Sequence, residues 1–155
     1  LISMGKRKSK FTDLEKYVEA QVLAWAFQNR WSLDVYDSKG TFSEARGRYS
    51  RNIGMKTGTA DLMGVSSEGY FVALELKAPG KEGVCRLEQH SFLTRKIESN
   101  GFALVLSSVS FLEETWTSWL KLRNEGRKVD AQNMLSDLLP KKVIVSGKTL
   151  NLQKP

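Results

Sequence analysis

The chain has one cysteine, Cys85, and one histidine, His90, in 155 residues. A lone cysteine excludes an intramolecular disulfide and leaves a cysteine-based zinc site without enough ligands. It also gives no sign of the disulfide framework of a small secreted protein. With one histidine, a His-based triad or a histidine-rich metal site has little to draw on. No apolar run approaches the length that spans a bilayer. The residues ahead of Met4 are too few for a signal peptide, and Met4 reads as the natural start. These absences point to an intracellular protein, in the cytoplasm or nucleoid. No internal repeat or linker divides the chain. The expectation is one domain over residues 11–155, preceded by a basic flexible arm over residues 1–10 that contains Lys6, Arg7, Lys8 and Lys10.

What the chain does have is positive charge. Lysine and arginine number 24 against 17 acids, a formal net charge of +7, and such a balance favours an anionic partner, most often nucleic acid. A basic protein that is merely soluble has the same total, so charge alone decides nothing.

Residues 58–77 organise the rest. Two apolar runs flank Ser66-Ser67-Glu68-Gly69, the pattern of a β-hairpin. The second run, Tyr70 to Leu76, is apolar on both faces, as in a central buried strand. Yet it ends in Glu75-Leu76-Lys77. Residues two apart on a strand share a face, so Glu75 and Lys77 project side by side. Asp61 opens the partner strand and is expected near them. Burying such groups is costly unless they are paired or hold a metal. Glu-x-Lys alone is most simply a structural pair at a strand end. Two carboxylates with an ammonium suit a hard cation instead, because Mg²⁺ takes carboxylate, water and phosphate oxygens.

Upstream, Thr12 and Glu15 match a capping box and predict a helix to about Arg30, with Leu14, Val18, Val22 and Trp25 as its apolar stripe. Glu15 then has a local partner. Glu19, one turn on, has none, and on this helix alone it reads as solvent-facing. Trp31 to Tyr36 reads as a strand with Leu33 and Val35 on one face. Residues 41–59 show no periodicity and read as a long loop. Its Arg46, Arg48, Arg51 and Lys56, interspersed with glycines, suit phosphate contacts as well as they suit a solvated loop. Lys81, in the loop after Lys77, belongs with these candidate DNA contacts.

Downstream, a helix is expected from about Arg86 to Ser99, closed by Asn100-Gly101. Gln89, Leu93 and Ile97 share its apolar face, which brings Gln89 towards Glu75 and Lys77; a buried glutamine needs partners. Phe102 to Leu106 reads as a buried strand. Ser110 to Glu113 matches a second capping box, starting a helix that carries Trp116, Trp119 and Leu120 and ends near Gly126. A helix over about Val129–Leu139 stops at Pro140. A terminal hairpin turns at Ser146-Gly147.

The order helix, strand, two-stranded hairpin, helix, strand, with Asp61 at the start of one strand and Glu75-Leu76-Lys77 at the end of the next, resembles the PD-(D/E)XK nuclease superfamily. Within it the chain is most similar to the VRR-NUC group, through Gly54-x-Lys56-x-Gly58-x-x-Asp61-Leu62, the run Glu75 to Pro79, and Gln89. Ala60 departs from the family's proline. The similarity covers about Glu15 to Ser108. It implies an α/β fold with a restriction-endonuclease-like core (α-β-β-β-α-β, mixed central sheet flanked by helices) and a C-terminal helical extension. It also implies a Mg²⁺-dependent deoxyribonuclease, with Mn²⁺ as the alternative ion. Asp61, Glu75 and the Leu76 carbonyl become metal ligands, joined by Glu19 as the helix acid with Glu15 as fallback. Lys77 becomes the residue that orients or deprotonates water, and Gln89 the one that positions it. Similarity to Holliday-junction resolvases implies branched DNA as substrate and a homodimer. A nucleic-acid-binding module that has lost catalysis, and a basic scaffold protein whose Glu75–Lys77 pair is purely structural, are the competing readings.

Overall fold

A computed structural model describes residues 9–36, 41–43, 48–50 and 58–152. Its elements, in chain order, are α1 (Ser9–Gln28), β1 (Ser32–Val35), β2 (Thr41–Ser43), β3 (Arg48–Ser50), β4 (Leu62–Val65), β5 (Phe71–Leu76), β6 (Val84–Arg86), α2 (Leu87–Glu98), β7 (Phe102–Leu106), α3 (Val109–Asn124), α4 (Lys128–Leu138), β8 (Lys142–Val145) and β9 (Lys148–Asn151). The fold is α/β, built on a mixed four-stranded sheet in the order β1-β4-β5-β7. β1, β4 and β5 run antiparallel in turn, and β5 and β7 run parallel.

The expected hairpin is present, with β5 at the centre of the sheet. From Val72 to Leu76 every β5 residue is buried, as is all of β7. Val72, Leu74 and Leu62 join Phe102 and Leu104 in a core continuous with Val18, Val22 and Ala26 of α1. That stripe, at i, i+4, i+8, lies slightly to one side of the expected one. Leu14 is exposed and Trp25 packs only partly against the core. Leu112, Trp116 and Trp119 of α3 and Ala131 and Leu135 of α4 belong to the same core. The C-terminal helices are thus integral to the fold rather than an extension of it. Rings of Trp31, Tyr70, Phe102, Trp116 and Trp119 meet at 4.5–6.4 Å, mostly edge to face, a favourable geometry for aromatic quadrupoles.

Four expectations are corrected. Helix α1 begins at Ser9, so Thr12 has helical residues on both sides and cannot serve as the N-cap. Helix α3 begins at Val109, one residue before the expected capping box. Its N-cap is Ser108, extended at φ −152°, whose hydroxyl accepts from the Phe111 N–H at 3.2 Å. Residues 41–43 and 48–50 are antiparallel strands rather than loop; three-residue strands are too short to show an alternation. Last, β8 does not stand with β9 alone. It pairs in parallel with β6, Cys85 opposite Val143, and makes a second sheet in the order β6-β8-β9. The terminal hairpin itself forms where expected, turning at Ser146 and Gly147 with φ of 49° and 78°. The basic arm, apart from Ser9 and Lys10 in α1, lies outside the described residues. No helix among the described residues is long and apolar enough to cross a membrane.

Candidate metal centre

Sheet register brings the two carboxylates together. Leu62 stands opposite Leu74. One step further along the same antiparallel register, Asp61 stands opposite Glu75, and directly opposed residues share a face. Asp61 is fixed from both sides. Its main-chain carbonyl accepts from the Tyr36 N–H at 2.8 Å, and its Oδ2 accepts from the Leu76 N–H at 2.9 Å. The segment leading into Asp61 is held by Gly58, whose φ is +88°. A Cβ there would lie 2.5 Å from the main chain of Glu88, so only glycine lets this segment rest on the first turn of α2.

Glu75 is 3% exposed and Gln89 is 5% exposed. Gln89 is the third residue of α2, and its amide is shared among three neighbours. Nε2 donates to Glu75 Oε1 at 2.6 Å. Oε1 accepts from the Arg86 N–H at 3.0 Å, the link that closes the helix start, and from Lys77 Nζ at 3.4 Å. Lys77 is half-buried and anchored by its own N–H on the Leu106 carbonyl. The expected meeting of Glu75, Lys77 and Gln89 is therefore present, with Asp61 across the hairpin.

One oxygen in this network has no donor. Glu75 Oε2 is buried and accepts no hydrogen bond, alone in this among the buried side-chain polar atoms of the described residues, and only a protonated Glu75 can bond Asp61. Burial pushes the Glu75 pKa up to about 9, and the charge of Asp61 and a hydrogen bond to it add to the rise. Lys77 and then Arg86 act in the other direction. At neutral pH, with no cation bound, Glu75 therefore keeps its proton. A buried, unpartnered carboxylate oxygen opposite a second carboxylate suits a hard divalent cation, whose charge would replace that proton.

Glu19 is half-buried on α1, at the edge of the Val18–Val22–Ala26 stripe. Among the described residues no three His, Cys, Asp or Glu side chains stand close enough to hold an ion, so Glu19 is not gathered with Asp61 and Glu75. Two carboxylates are the whole charged donor set here, within the one or two that Mg²⁺ ordinarily takes from protein. Of the candidate DNA contacts, Lys81 is exposed. Arg48 lies on β3, but its side chain is outside what is described, as are Arg46, Arg51 and Lys56 altogether.

Two neighbours of the site had no signal in the sequence. Arg86 is exposed, immediately precedes α2, and acts electrostatically on Glu75. Cys85 is buried; desolvation raises its thiol pKa to about 11, with Lys77 lowering and Glu75 raising it. That thiol is unreactive and no nucleophile. Both residues arrive through β6, whose pairing with β8 spans more than fifty residues of sequence. Comparison with protein-family models, with curated proteins and with solved structures finds no match to this chain.

Proposed function

We propose that this protein is a metal-dependent endonuclease that hydrolyses DNA phosphodiester bonds, with a PD-(D/E)XK-type site on a restriction-endonuclease-like core formed by α1, β1, β4, β5, α2 and β7. The observation that carries this reading is Glu75 Oε2, a buried acceptor without a donor, beside Asp61, Lys77 and Gln89. Asp61, Glu75 and the Leu76 carbonyl would hold the ion. A divalent cation supplies charge to neutralise a phosphodiester and acidifies water for attack on phosphorus. Lys77 contributes a donor that orients the attacking water and steadies a phosphate oxygen. Gln89 holds Lys77 and Glu75 in fixed relation, and Arg86 adds positive charge at the rim. The excess of basic residues suits a polyanionic substrate. The resemblance to junction resolvases favours branched DNA.

The same geometry also supports a second reading. With Glu75 protonated and hydrogen-bonded to Asp61, the site is internally neutral without an ion, as a binding module that had lost catalysis would allow. Calorimetry with Mg²⁺, on wild type and Asp61→Ala, separates the two. The nuclease reading expects binding to wild type, lost in the variant, together with cleavage of at least one of single-stranded, duplex, flap and four-way-junction DNA. DNA binding with neither ion binding nor cleavage would select the binding module.

A further inference from the structure

The outer face of α1 takes no part in the site or the core. Tyr17, Ala20, Ala24 and Phe27 follow one another at spacings of three, four and three, the spacing that keeps side chains on one seam of a helix. All four are exposed, Tyr17 by 62% and Phe27 by 84%, the latter the most exposed of the large apolar residues described. Gln21 and Gln28 fill the same face. Three turns of helix thus present aromatic, small and amide side chains and no charge, in a chain where 26% of residues are charged.

We propose that this face is the contact between two copies of the chain, packed as antiparallel α1 helices about a two-fold axis. The pattern is its own complement. An axis passing beside Val22 pairs each residue with the one equally far on the other side. Tyr17 then meets Phe27 of the second copy, and Ala20 meets Ala24. Aromatic rings close both ends while alanines let the helices approach at the middle, and a two-fold contact requires just such a surface. Lys16, at the border, stands level with Gln28 of the second copy.

Charge also selects the occupant. Nucleic acid and anionic lipid both need cations on the surface that meets them, and this seam has none. The two rings still offer on the order of 300 Å² per copy. With the alanines and glutamines the contact falls at the small end of specific interfaces, so a dimer dissociating on the order of 10 µM is expected. The assignment uses only the exposure and spacing of α1 residues and stands whether or not the protein cleaves DNA.

Sedimentation velocity across a concentration series tests it. Wild type should shift from monomer to dimer. Phe27→Glu should weaken the dimer by about tenfold or more. Its melting temperature at a concentration where wild type is monomeric should not change, because Phe27 supports nothing in the monomer. A double variant Ala20→Cys/Ala24→Cys should form an intermolecular disulfide under mild oxidation, and Ala20→Cys alone should not, since its partner would then be alanine. The buried Cys85 is inert to this treatment. A wild type that stays monomeric throughout overturns the proposal. So does a Phe27→Glu dimer as tight as wild type, or a single variant that crosslinks as readily as the double.

Discussion

Gln132 and Gln89 each tie a helix to the parallel pair β5–β7, at opposite ends of it, and the two ties are finished differently. Gln132 uses its whole amide. Oε1 accepts from the Trp119 indole at 2.9 Å and from Arg123 at 3.3 Å, while Nε2 donates to the carbonyls of Ile97 and Gly101 at 2.7 and 2.9 Å. Arg123 in turn lies over the rings of Tyr70 and Trp119, about 5 Å from each centroid. Gln89 is as well placed and more buried, yet its network stops at Glu75 Oε1 and brings no donor to Oε2. The fold is therefore able to satisfy a demanding polar cluster, and does so where the strands begin. The loose end sits where β5 and β7 finish, the end of parallel strands at which ligands in α/β proteins are usually bound. On the nuclease reading proposed above, that difference is what a site awaiting a cation would show.

The contrast can be broken most directly at Lys77. On the nuclease reading, Lys77→Ala should lower the cleavage rate by about a hundredfold or more while leaving melting temperature and DNA affinity near wild type, because its ammonium would then serve the reaction and not the core. Cleavage at the wild-type rate would remove Lys77 from the mechanism. Gln132→Leu probes the closed end. It strands a buried indole N–H and two carbonyls and should cost on the order of 3 kcal/mol of stability, read by chemical denaturation, without altering Mg²⁺ affinity. Gln89→Leu should show the opposite balance: cleavage and Mg²⁺ affinity down by about ten- to a hundredfold, as for other residues that orient a ligand. If both variants mainly destabilise, the two ends do not differ in kind.

A titration sharpens the same comparison. Folded Glu75 holds its proton up to about pH 9, whereas the unfolded chain releases it near 4.5. Between those values the folded state binds the extra proton, so its stability in chelator is greatest at the acid end and declines as pH rises through the window. His90 acts oppositely, since burial and then Lys141 lower its pKa. The difference between wild type and Glu75→Gln cancels the histidine. Melting temperatures in chelator should fall with pH more steeply in wild type than in Glu75→Gln, and parallel curves would place the proton elsewhere. The smallest effect is expected at Arg86. If it meets a phosphate at the rim, Arg86→Ala should reduce the slope of log affinity against log salt by about one. An unchanged slope would route the DNA past another edge.

Much of this was legible because the signals were local. An apolar run closed by Glu75-x-Lys77 announces a buried strand with a polar end. Gln89, Leu93 and Ile97 at successive turns announce which way Gln89 faces. Asn100, at φ +72°, and Gly101 end α2 where a left-handed residue is needed. What was hidden depends on distant partners or on a choice between equals. Val84-Cys85-Arg86 is three residues between a glycine and a helix, and becomes a strand only because β8 lies alongside. Ser110-x-x-Glu113 matches a capping box in sequence, but the extended backbone and the cap fall at Ser108, where no Glu or Gln three residues on marks it. The placing of Arg86 near Glu75 follows from β6 and was unreadable for the same reason. The resemblance supplied Glu19 as a ligand, and among the described residues no group of three acids stands together to take it in.

Cys85 makes the protein its own reporter. Its thiol is buried on β6, which pairs with β8, within electrostatic reach of Glu75 and Lys77, and no second cysteine competes for reagent. Any alkylation in the native protein must then count the moments when the packing around β6 opens. The labelling rate becomes a clock for breathing at the edge of the site, readable by mass on unmodified protein. A ligand that settles between Asp61 and Glu75 would slow that clock, whatever the ligand proves to be.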